Sequence, residues 1–281
     1  MMSKLYVVGT PIGNLGDISP RAAKILSEVD FIAAEDTRIS GKLLGHLGIK
    51  KPMVSYFQHN MRERGQHIID RIAAGESCAI ITDAGMPCIS DPGEDLVKLC
   101  HDQAIPMEVV PGPTAAMSAL ALSGLATGRF AFEGFLSVKA SSRRLRLNEV
   151  KDDPRTLIFY EAPHKLRGTL TDMAEVFGND RQVTLARELT KIYEEVVRTT
   201  FGEAIKLYAE REPRGEYVLV VAGAEKAKVS EQISPEQAAE LAVRLSAEGI
   251  SLSEAAKQTA AETGYKKGEL YQLAQALIDQ A

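Results

Sequence analysis

The sequence lacks any apolar run that approaches the roughly 18 residues needed to cross a membrane. Its first residues, MMSKLYVVGTPIGN, hold one lysine and an apolar run too short for the core of a signal peptide. The formal net charge of -5 over 281 residues excludes a generally basic coat for nucleic acid, although it is compatible with a local basic face. We therefore expect a cytoplasmic protein that has no membrane partner.

Patterns typical of metal sites and disulfide bonds are also missing. The three cysteines, Cys78, Cys88 and Cys100, are odd in number and show no C-x-x-C spacing, which favours small reduced core residues. The five histidines are scattered, with neither an H-E-x-x-H motif nor an i, i+4 pair. We expect no metal in this protein.

Two familiar phosphate-binding motifs are absent as well. The glycine-containing stretch GTPIGN does not have the G-x-G-x-x-G spacing, and no stretch matches G-x-x-x-x-G-K-[ST]. The sequence therefore excludes the ordinary dinucleotide-binding and P-loop classes.

Strand-like apolar runs alternate with amphipathic helical segments up to about residue 223, which is typical of α/β layers. The first series predicts strands near 4–9, 30–34, 53–57, 78–82 and 107–110, and helices near 20–28, 38–47, 61–74, 92–103 and 114–124. The second predicts strands near 130–135, 156–160, 182–186, 194–200 and 216–222, and helices near 139–150, 163–177 and 201–209. Only helices follow, near 235–247, 252–262 and 266–279.

Changes in composition divide these elements into three predicted domains. The small-residue stretch SGLATGRF separates the two α/β series, and the strands stop after VLVVAGAEKAK. We expect an N-terminal α/β domain over 1–122, a second α/β domain over 123–225 and a C-terminal three-helix domain over 226–281. In the tail, SPEQ matches a capping box, and TGYKKGELY is typical of a helix-turn-helix unit, which either binds nucleic acid or packs as an appendage.

Four loops with unusual glycine and proline content follow predicted strands. They are GTPIGNLGDIS, ITDAGMPCISDPGEDL, VVPGPTAAMSALALSG and FYEAPHKL. In open α/β sheets, ligands bind beyond the carboxyl ends of the strands, where helix N-termini present free N–H groups. We therefore expect these loops to form the walls of a ligand pocket.

Seven blocks of sequence carry a specific resemblance to a known family. They are, in order, TPIGNLGDISPRA, AAEDTR, DAGMPCISDPG, VVPGPTAA, FYEAPHKL, ARELTKIYEE and RGEYVLVV. Together they resemble the tetrapyrrole methylase superfamily, and within it the branch that methylates a ribose 2'-hydroxyl of small-subunit ribosomal RNA. The resemblance implies a class III methyltransferase fold, with two α/β domains, S-adenosylmethionine in the cleft between them, a C-terminal all-α helical tail and a homodimer. The implied substrate is cytidine 1402 of 16S ribosomal RNA within the small ribosomal subunit.

Glycine and proline loops suit this cofactor because they allow close backbone approach and fix its direction. Carbonyl groups would face the positive sulfonium, and N–H groups would receive adenine nitrogens and the methionyl carboxylate. Asp83 could accept hydrogen bonds from the methionyl ammonium or the ribose hydroxyls. The predicted cofactor-binding residues are Pro11, Gly13, Asn14, Asp83, Ala84, Gly85, Met86, Ser90, Pro111, Gly112, Pro113, Thr114, Ala115, Tyr160 and Ala186.

A ribose hydroxyl is a poor nucleophile and benefits from a base, or from hydrogen bonds that strengthen as it loses its proton. The candidate catalytic residues, from the residue types in the resembling blocks, are Glu216, Lys191, Arg187, Glu188 and Glu161. A structural salt bridge near the cleft is the alternative reading for each of them.

Candidate RNA contacts are basic residues away from the cofactor loops. The stretch KASSRRLRLNEV places cations at the start of a predicted helix, where the helix dipole favours acids, so phosphate binding and a solvated face both remain open. The predicted RNA-binding residues are Lys139, Arg143, Arg144 and Arg146 in this stretch, with Arg38, His164, Lys165, Lys266 and Lys267 elsewhere.

Two other classes of function remain open at the level of sequence. A small-molecule methyltransferase acting on a tetrapyrrole would share the cofactor cleft but would not need the arginine cluster or the helical tail. A non-enzymatic RNA-binding protein on an α/β scaffold would not need the cofactor loops.

Overall fold

The first five strands of the computed structural model form one parallel sheet, and the structure describes residues 3–57, 60–225 and 234–279. The strands are β1 Leu5–Val8, β2 Phe31–Ala34, β3 Met53–Ser55, β4 Cys78–Ile81 and β5 Met107–Val110. Their order is β3-β2-β4-β1-β5. Strands β2 and β4 are buried along their whole length because helices cover both faces of the sheet.

A helix follows each of these strands, as parallel neighbours require a crossover connection. The helices are α1 Pro20–Glu28, α2 Thr37–His46, α3 Met61–Ala73, α4 Glu94–Asp102 and α5 Ala115–Ser123, and a short 3-10 helix, Leu15–Asp17, precedes α1. Helix α1 begins as the sequence predicts, with the Ser19 hydroxyl accepting from the Ala22 N–H and Pro20 in the first turn.

The second sheet is mixed and also has five strands. They are β6 Phe130–Phe135, β7 Thr156–Glu161, β8 Gln182–Arg187, β9 Glu195–Thr200 and β10 Tyr217–Val221, with helices α6 Ala140–Val150, α7 Leu166–Phe177 and α8 Phe201–Glu210. The order is β6-β7-β10-β8-β9, and β10 runs antiparallel to both of its neighbours. As a result, the start of β10 lies at the same sheet edge as the ends of β7 and β8.

Helix α5 joins the two sheets into one packed body. Its residues are almost entirely small and apolar, which suits a helix that is buried on several sides. Ala116, Ala119 and Leu120 pack in one cluster with Ile158 of β7 and Val218 of β10. By contacts the chain divides into two compact units, Met1–Gly223 and Ala224–Ala281, so both sheets belong to the first. A domain boundary near residue 123 stays a prediction.

The second compact unit contains three helices, α9 Pro235–Ala247, α10 Leu252–Thr263 and α11 Lys267–Asp279. Helix α9 begins with the predicted capping box, in which Ser234 and Gln237 satisfy each other's backbone N–H groups. Gly264 ends α10 in the left-handed conformation and allows the tight turn into α11. Alanines fill the small core of this unit. Of the predicted domain 226–281, residues 226–233, 280 and 281 lie outside the described residues.

The predicted elements agree with the observed ones to within a few residues at each end, and the 3-10 helix is the element that the sequence analysis missed. Among the described residues, no helix combines the length and apolar character that crossing a membrane requires. The same residues contain no group of three or more side chains arranged to hold a metal ion.

Candidate functional site

A cavity of about 480 Å³ lies within the first unit, between the carboxyl edge of the parallel sheet and the facing edge of the mixed sheet. Nine predicted cofactor-binding residues line it: Asp83, Ala84, Gly85, Met86, Ser90, Thr114, Ala115, Tyr160 and Ala186. Four predicted catalytic residues line it too: Glu161, Glu188, Lys191 and Glu216. This volume is in the range of sites that enclose a small-molecule ligand.

The loop after β4 is fastened to the loop after β1. Thr10 and Gly85 exchange two backbone hydrogen bonds, of 2.9 and 3.2 Å between nitrogen and oxygen. The buried Thr10 hydroxyl donates to the Thr82 carbonyl at 3.1 Å. Gly85 has φ of 93°, a conformation that few other residues adopt without strain. The glycine in this loop therefore serves the backbone geometry that turns residues 83–86 toward the cavity.

Further along the same loop, two residues other than glycine adopt left-handed conformations. Cys88 has φ of 72° and Ser90 has φ of 64°. The loop closes through the Cys88 N–H, which donates to the Pro92 carbonyl, and Ser90 packs against Gly134 at a bulge in β6. Backbone strain of this kind persists only where the surrounding structure imposes it, and it is common at ligand sites.

Three carboxylates, Glu35, Asp83 and Asp91, form an acidic wall of the cavity. Of these, Glu35 and Asp91 were not predicted as site residues. Glu35 follows β2 and Thr82 follows β4, its neighbour in the sheet, and the Thr82 hydroxyl donates to Glu35 at 2.6 Å. Burial, followed by the Glu35 charge, raises the pKa of Asp83 and raises the pKa of Asp91 to about 7. This wall therefore combines negative charge with a carboxyl group that titrates near neutrality.

A lysine held between two glutamates forms the opposite wall. The Lys191 ammonium donates to Glu188 at 2.9 Å and to Glu216 at 2.8 Å. Burial opposes the charge, but these bonds outweigh it and raise the pKa of Lys191. Glu188 also accepts the Glu216 N–H at 3.0 Å and has φ of 51°. A Cβ on Gly215 would lie 2.4 Å from the Glu188 side chain, so this position favours glycine.

Glu161, at the end of β7, is a buried carboxylate that is hydrogen-bonded and ion-paired to neighbouring residues. Its oxygens accept from the Ala162 N–H at 2.8 Å and from the Thr169 hydroxyl, and Lys165 lies 3.0 Å away. The Lys165 ammonium also lies over the ring of Phe135. This network is satisfied within the protein, which favours a structural role for Glu161 and Lys165.

Tyr160 and Phe135 form an aromatic floor to the cavity. Their ring centroids are 5.4 Å apart in an edge arrangement, and the Tyr160 hydroxyl accepts the Ala116 N–H at 3.2 Å in the first turn of α5. Burial raises the pKa of Tyr160, and the negative charge of Asp91 raises it further. Asp91, on the loop after β4, therefore interacts electrostatically with an aromatic residue of the second sheet.

Several predicted cofactor-binding residues do not line this cavity, namely Pro11, Gly13, Asn14, Pro111, Gly112 and Pro113. The two glycines have a packing reason instead. A Cβ on Gly112 would lie 2.7 Å from the Gly9 Cα, and one on Gly13 would lie 2.4 Å from the Lys191 Cγ. Asn14 caps the 3-10 helix by accepting the Gly16 N–H at 3.0 Å. Other residues of the same loops, Ile12, Thr114 and Ala115, do line the cavity, and Pro111, Gly112 and Pro113 line a second pocket.

Arg187 was predicted as a catalytic residue, but the structure places it outside the cavity. Its Nε donates to Glu195 at 3.1 Å, and Arg211 binds both oxygens of the same carboxylate. These charged groups of β8, β9 and the end of α8 thus satisfy one another. This geometry favours a structural salt bridge for Arg187, which is the alternative that the sequence left open.

The arginine cluster in α6 is largely committed to ion pairs. Arg143 has a side chain only 11% exposed, pairs with Asp172 and also donates to backbone carbonyls, and this geometry favours a structural role. Arg144 pairs with the same Asp172, and Arg146 pairs with Glu133. The acids that balance these cations at the start of α6 come mainly from other elements, which resolves the conflict with the helix dipole.

The remaining predicted RNA contacts lie at or near the surface. Lys139 and His164 are exposed, as are Lys266 and Lys267 in the second unit. Arg38 is 88% exposed and forms an ion pair with Asp36, the residue that caps α2. Among these residues, His164 lies closest in sequence to the cavity lining, directly after Pro163.

Family models match most of the chain. Residues 4–205 match the family described as Tetrapyrrole (Corrin/Porphyrin) Methylases, and residues 231–278 match the RsmI C-terminal HTH domain. Many solved structures share the fold. A uroporphyrin-III-C-methyltransferase from Thermus thermophilus has a TM-score of 0.57 at 22% identity, over 78% of this chain and 94% of its own. A diphthine synthase has a TM-score of 0.59 at 14% identity, over 78% and 89%. Fold and cavity together define a class III methyltransferase of the tetrapyrrole methylase type.

Similar proteins with assigned names identify a more specific family within this class. A protein of Synechocystis sp. named Ribosomal RNA small subunit methyltransferase I is 47% identical over 97% of this chain and 97% of the relative. A protein of the same name from Haemophilus influenzae is 44% identical over 98% and 97%. The chain belongs to the ribosomal RNA small subunit methyltransferase I family.

Proposed function

We propose that this protein transfers a methyl group from S-adenosylmethionine to the ribose 2'-hydroxyl of cytidine 1402 in 16S ribosomal RNA, within the small ribosomal subunit. The observation that supports this proposal most directly is the cavity between the two sheets, whose acidic wall faces the wall that contains Lys191. Family membership supports ribosomal RNA as the methyl acceptor. The ribose position and the nucleotide come from the resemblance of the seven sequence blocks.

The residues that line the cavity fit the proposed cofactor. Small side chains at Ala84, Gly85, Ala115 and Ala186 leave backbone groups within reach of a ligand, and Ile12 adds an apolar surface. The carboxylates of the acidic wall favour a cation, and the sulfonium of S-adenosylmethionine is cationic. In the first turn of α5, the N–H of Ala115, a residue that lines the cavity, suits an adenine nitrogen or a carboxylate.

Bound in this cavity, the cofactor would supply an electrophilic methyl carbon whose leaving sulfur departs without charge. The protein then needs to align the acceptor rather than to stabilise a leaving group. The strained backbones of the loops at Ser90 and Glu188 fix the two walls in place, and Lys191 ties Glu188 to Glu216. We propose that this ion-paired group positions the acceptor ribose.

The discriminating experiment is transfer of tritium from labelled S-adenosylmethionine. The purified protein is incubated with small subunits from cells that lack this methylation, and in parallel with porphyrin precursors. We expect label in the RNA, retained in an alkali-resistant dinucleotide because a 2'-O-methyl group blocks cleavage of the adjacent phosphodiester. Label found only in porphyrins, or in a base rather than a ribose, would overturn the proposal.

Calorimetry addresses the alternative of a non-enzymatic RNA-binding protein. Measurable binding of S-adenosylmethionine at cellular concentrations supports the enzyme, and its absence would leave only the RNA-binding alternative. We also propose a cytoplasmic location and a homodimer, and the homodimer rests on the family resemblance. Sedimentation velocity of the full chain tests the homodimer directly, and a monomer at micromolar concentration would count against it.

A further inference from the structure

Asp91 lines the cavity but is not among the predicted catalytic residues. It lies on the loop between β4 and α4, and it lines the cavity together with Glu35, Thr82 and Asp83. Across the cavity it interacts electrostatically with Tyr160 of the second sheet. A carboxylate in this place can reach a substrate held between the two sheets.

The backbone around Asp91 is built to hold this orientation. The left-handed residues Cys88 and Ser90 precede it, and Gly93 follows with φ of 134°. A Cβ on Gly93 would lie 2.7 Å from the Cys88 sulfur and 3.0 Å from Ile80, so the turn is tightly closed against the sheet. Ser90 also packs against the bulge in β6. The loop therefore cannot move Asp91 away without breaking several packed contacts.

The charges around Asp91 set its proton affinity. The negative charges of Glu35 after β2 and Asp83 after β4 raise the pKa of Asp91, and Asp91 in turn raises the pKa of Cys88 on the same loop and of Tyr160 on β7. Burial and then Glu35 raise the pKa of Asp91 to about 7, while the Thr82 side chain lowers it by hydrogen bonding. A general base is most effective when its pKa lies near the working pH.

We propose that Asp91 is the catalytic base that accepts the proton of the attacking ribose hydroxyl, and that Glu35 is a positioning residue that acts through it. This inference rests on the proposed function. The O–H bond breaks and the proton passes to the Asp91 carboxylate. The oxygen electron pair forms the new bond to the methyl carbon, and the electrons of the broken carbon–sulfur bond stay on sulfur, which becomes a neutral thioether.

The first test measures proton release upon cofactor binding, which requires no catalysis. A sulfonium bound near Asp91 lowers the pKa of that carboxyl, so protons leave the protein at pH 7. Calorimetry in phosphate and in Tris, which have different heats of ionisation, measures the number released. We expect a release of up to about half a proton with S-adenosylmethionine and less with S-adenosylhomocysteine, whose sulfur is neutral. Asp91→Asn should abolish the difference between the two ligands.

The second test is the pH dependence of methyl transfer under single-turnover conditions. We expect the wild-type rate to fall at acidic pH, and Asp91→Asn to lower the rate by roughly 10² to 10⁴-fold with little change in affinity for small subunits. Glu35→Gln removes a neighbouring negative charge and should shift the acidic limb to lower pH. Asp102→Asn, at the far end of α4, is the matched control and should leave the profile unchanged.

The outcomes separate the two proposals. If the wild-type protein transfers no methyl group to small subunits, the proposed function fails. If the wild type is active but folded Asp91→Asn keeps both its rate and its acidic limb, only the role of Asp91 fails. Circular dichroism and thermal unfolding establish that the variant is folded. Equal proton release with both ligands in the wild type would also contradict the assignment.

Discussion

Replacement of Gly215 by alanine tests the wall that contains Lys191. Gly215 has φ of 74°, so an alanine there costs about 1–2 kcal/mol for its left-handed backbone. Its Cβ would also lie 2.4–2.5 Å from three atoms of Glu188. The flexible carboxylate can move aside, but it then loses the Glu216 N–H and the Lys191 ammonium, at about 1 kcal/mol. We expect a total loss of roughly 2–3 kcal/mol in the free energy of unfolding.

Gly48 provides the matched control for this change. Its φ is 68°, and a Cβ there would meet nothing within 4 Å, so Gly48→Ala carries the backbone cost alone. Urea unfolding should show a loss about 1 kcal/mol smaller than for Gly215→Ala, and methyl transfer should stay unchanged. Gly215→Ala should lower methyl transfer by about 10²-fold, because the acceptor wall is displaced. Equal stability losses together with full activity in both variants would refute this account.

Three further predictions concern stability. The pKa of Asp91 rises from 3.8 to about 7 on folding, so the free energy of unfolding falls as pH rises through this window. Asp91→Asn should therefore raise the free energy of unfolding at pH 8. The full displacement corresponds to roughly 4 kcal/mol, which partial solvent exposure reduces to about 1–2 kcal/mol, and urea titrations at pH 5 and pH 8 measure the difference. Asp172→Asn leaves Arg143 buried without its partner and should cost about 3 kcal/mol in thermal unfolding; an unchanged midpoint would contradict a buried pair. Ser234→Ala removes one half of a capping box and should cost about 1 kcal/mol, detected by faster hydrogen exchange in α9 than in α11.

The helices and strands could be predicted well because they depend on local patterns. The strand order could not, since it depends on pairs far apart in sequence, such as Leu5 with Cys78. The antiparallel placement of β10 was likewise invisible, although it is what brings Glu216 to the edge that contains Glu161 and Glu188. The 3-10 helix was missed because its three residues are too few to show a periodicity.

The same distinction explains which site residues were found. Glycine and proline loops at strand ends are local signals, and they led to the residues around Gly85. Glu35 carries no such signal, because its place in the cavity follows from the adjacency of β2 and β4. The burial of Arg143 could not be predicted from local sequence because its partner, Asp172, comes from the next helix. Only the three-dimensional structure brings such pairs together.

The antiparallel pairing of β8 with β9 also has a consequence for the order of folding. Their register runs from Arg187 opposite Glu195 outwards, so a short connection closes this hairpin, and it contains Lys191. Strand β1, in contrast, pairs Leu5 with Cys78 and with Met107, and such long-range contacts form slowly. During refolding, pulse-labelled hydrogen exchange should therefore detect protection in the β8–β9 hairpin before β1. Lys191 and Glu188 would then be in place before β10 brings Glu216 to them, and the acidic wall would form as the parallel sheet is completed.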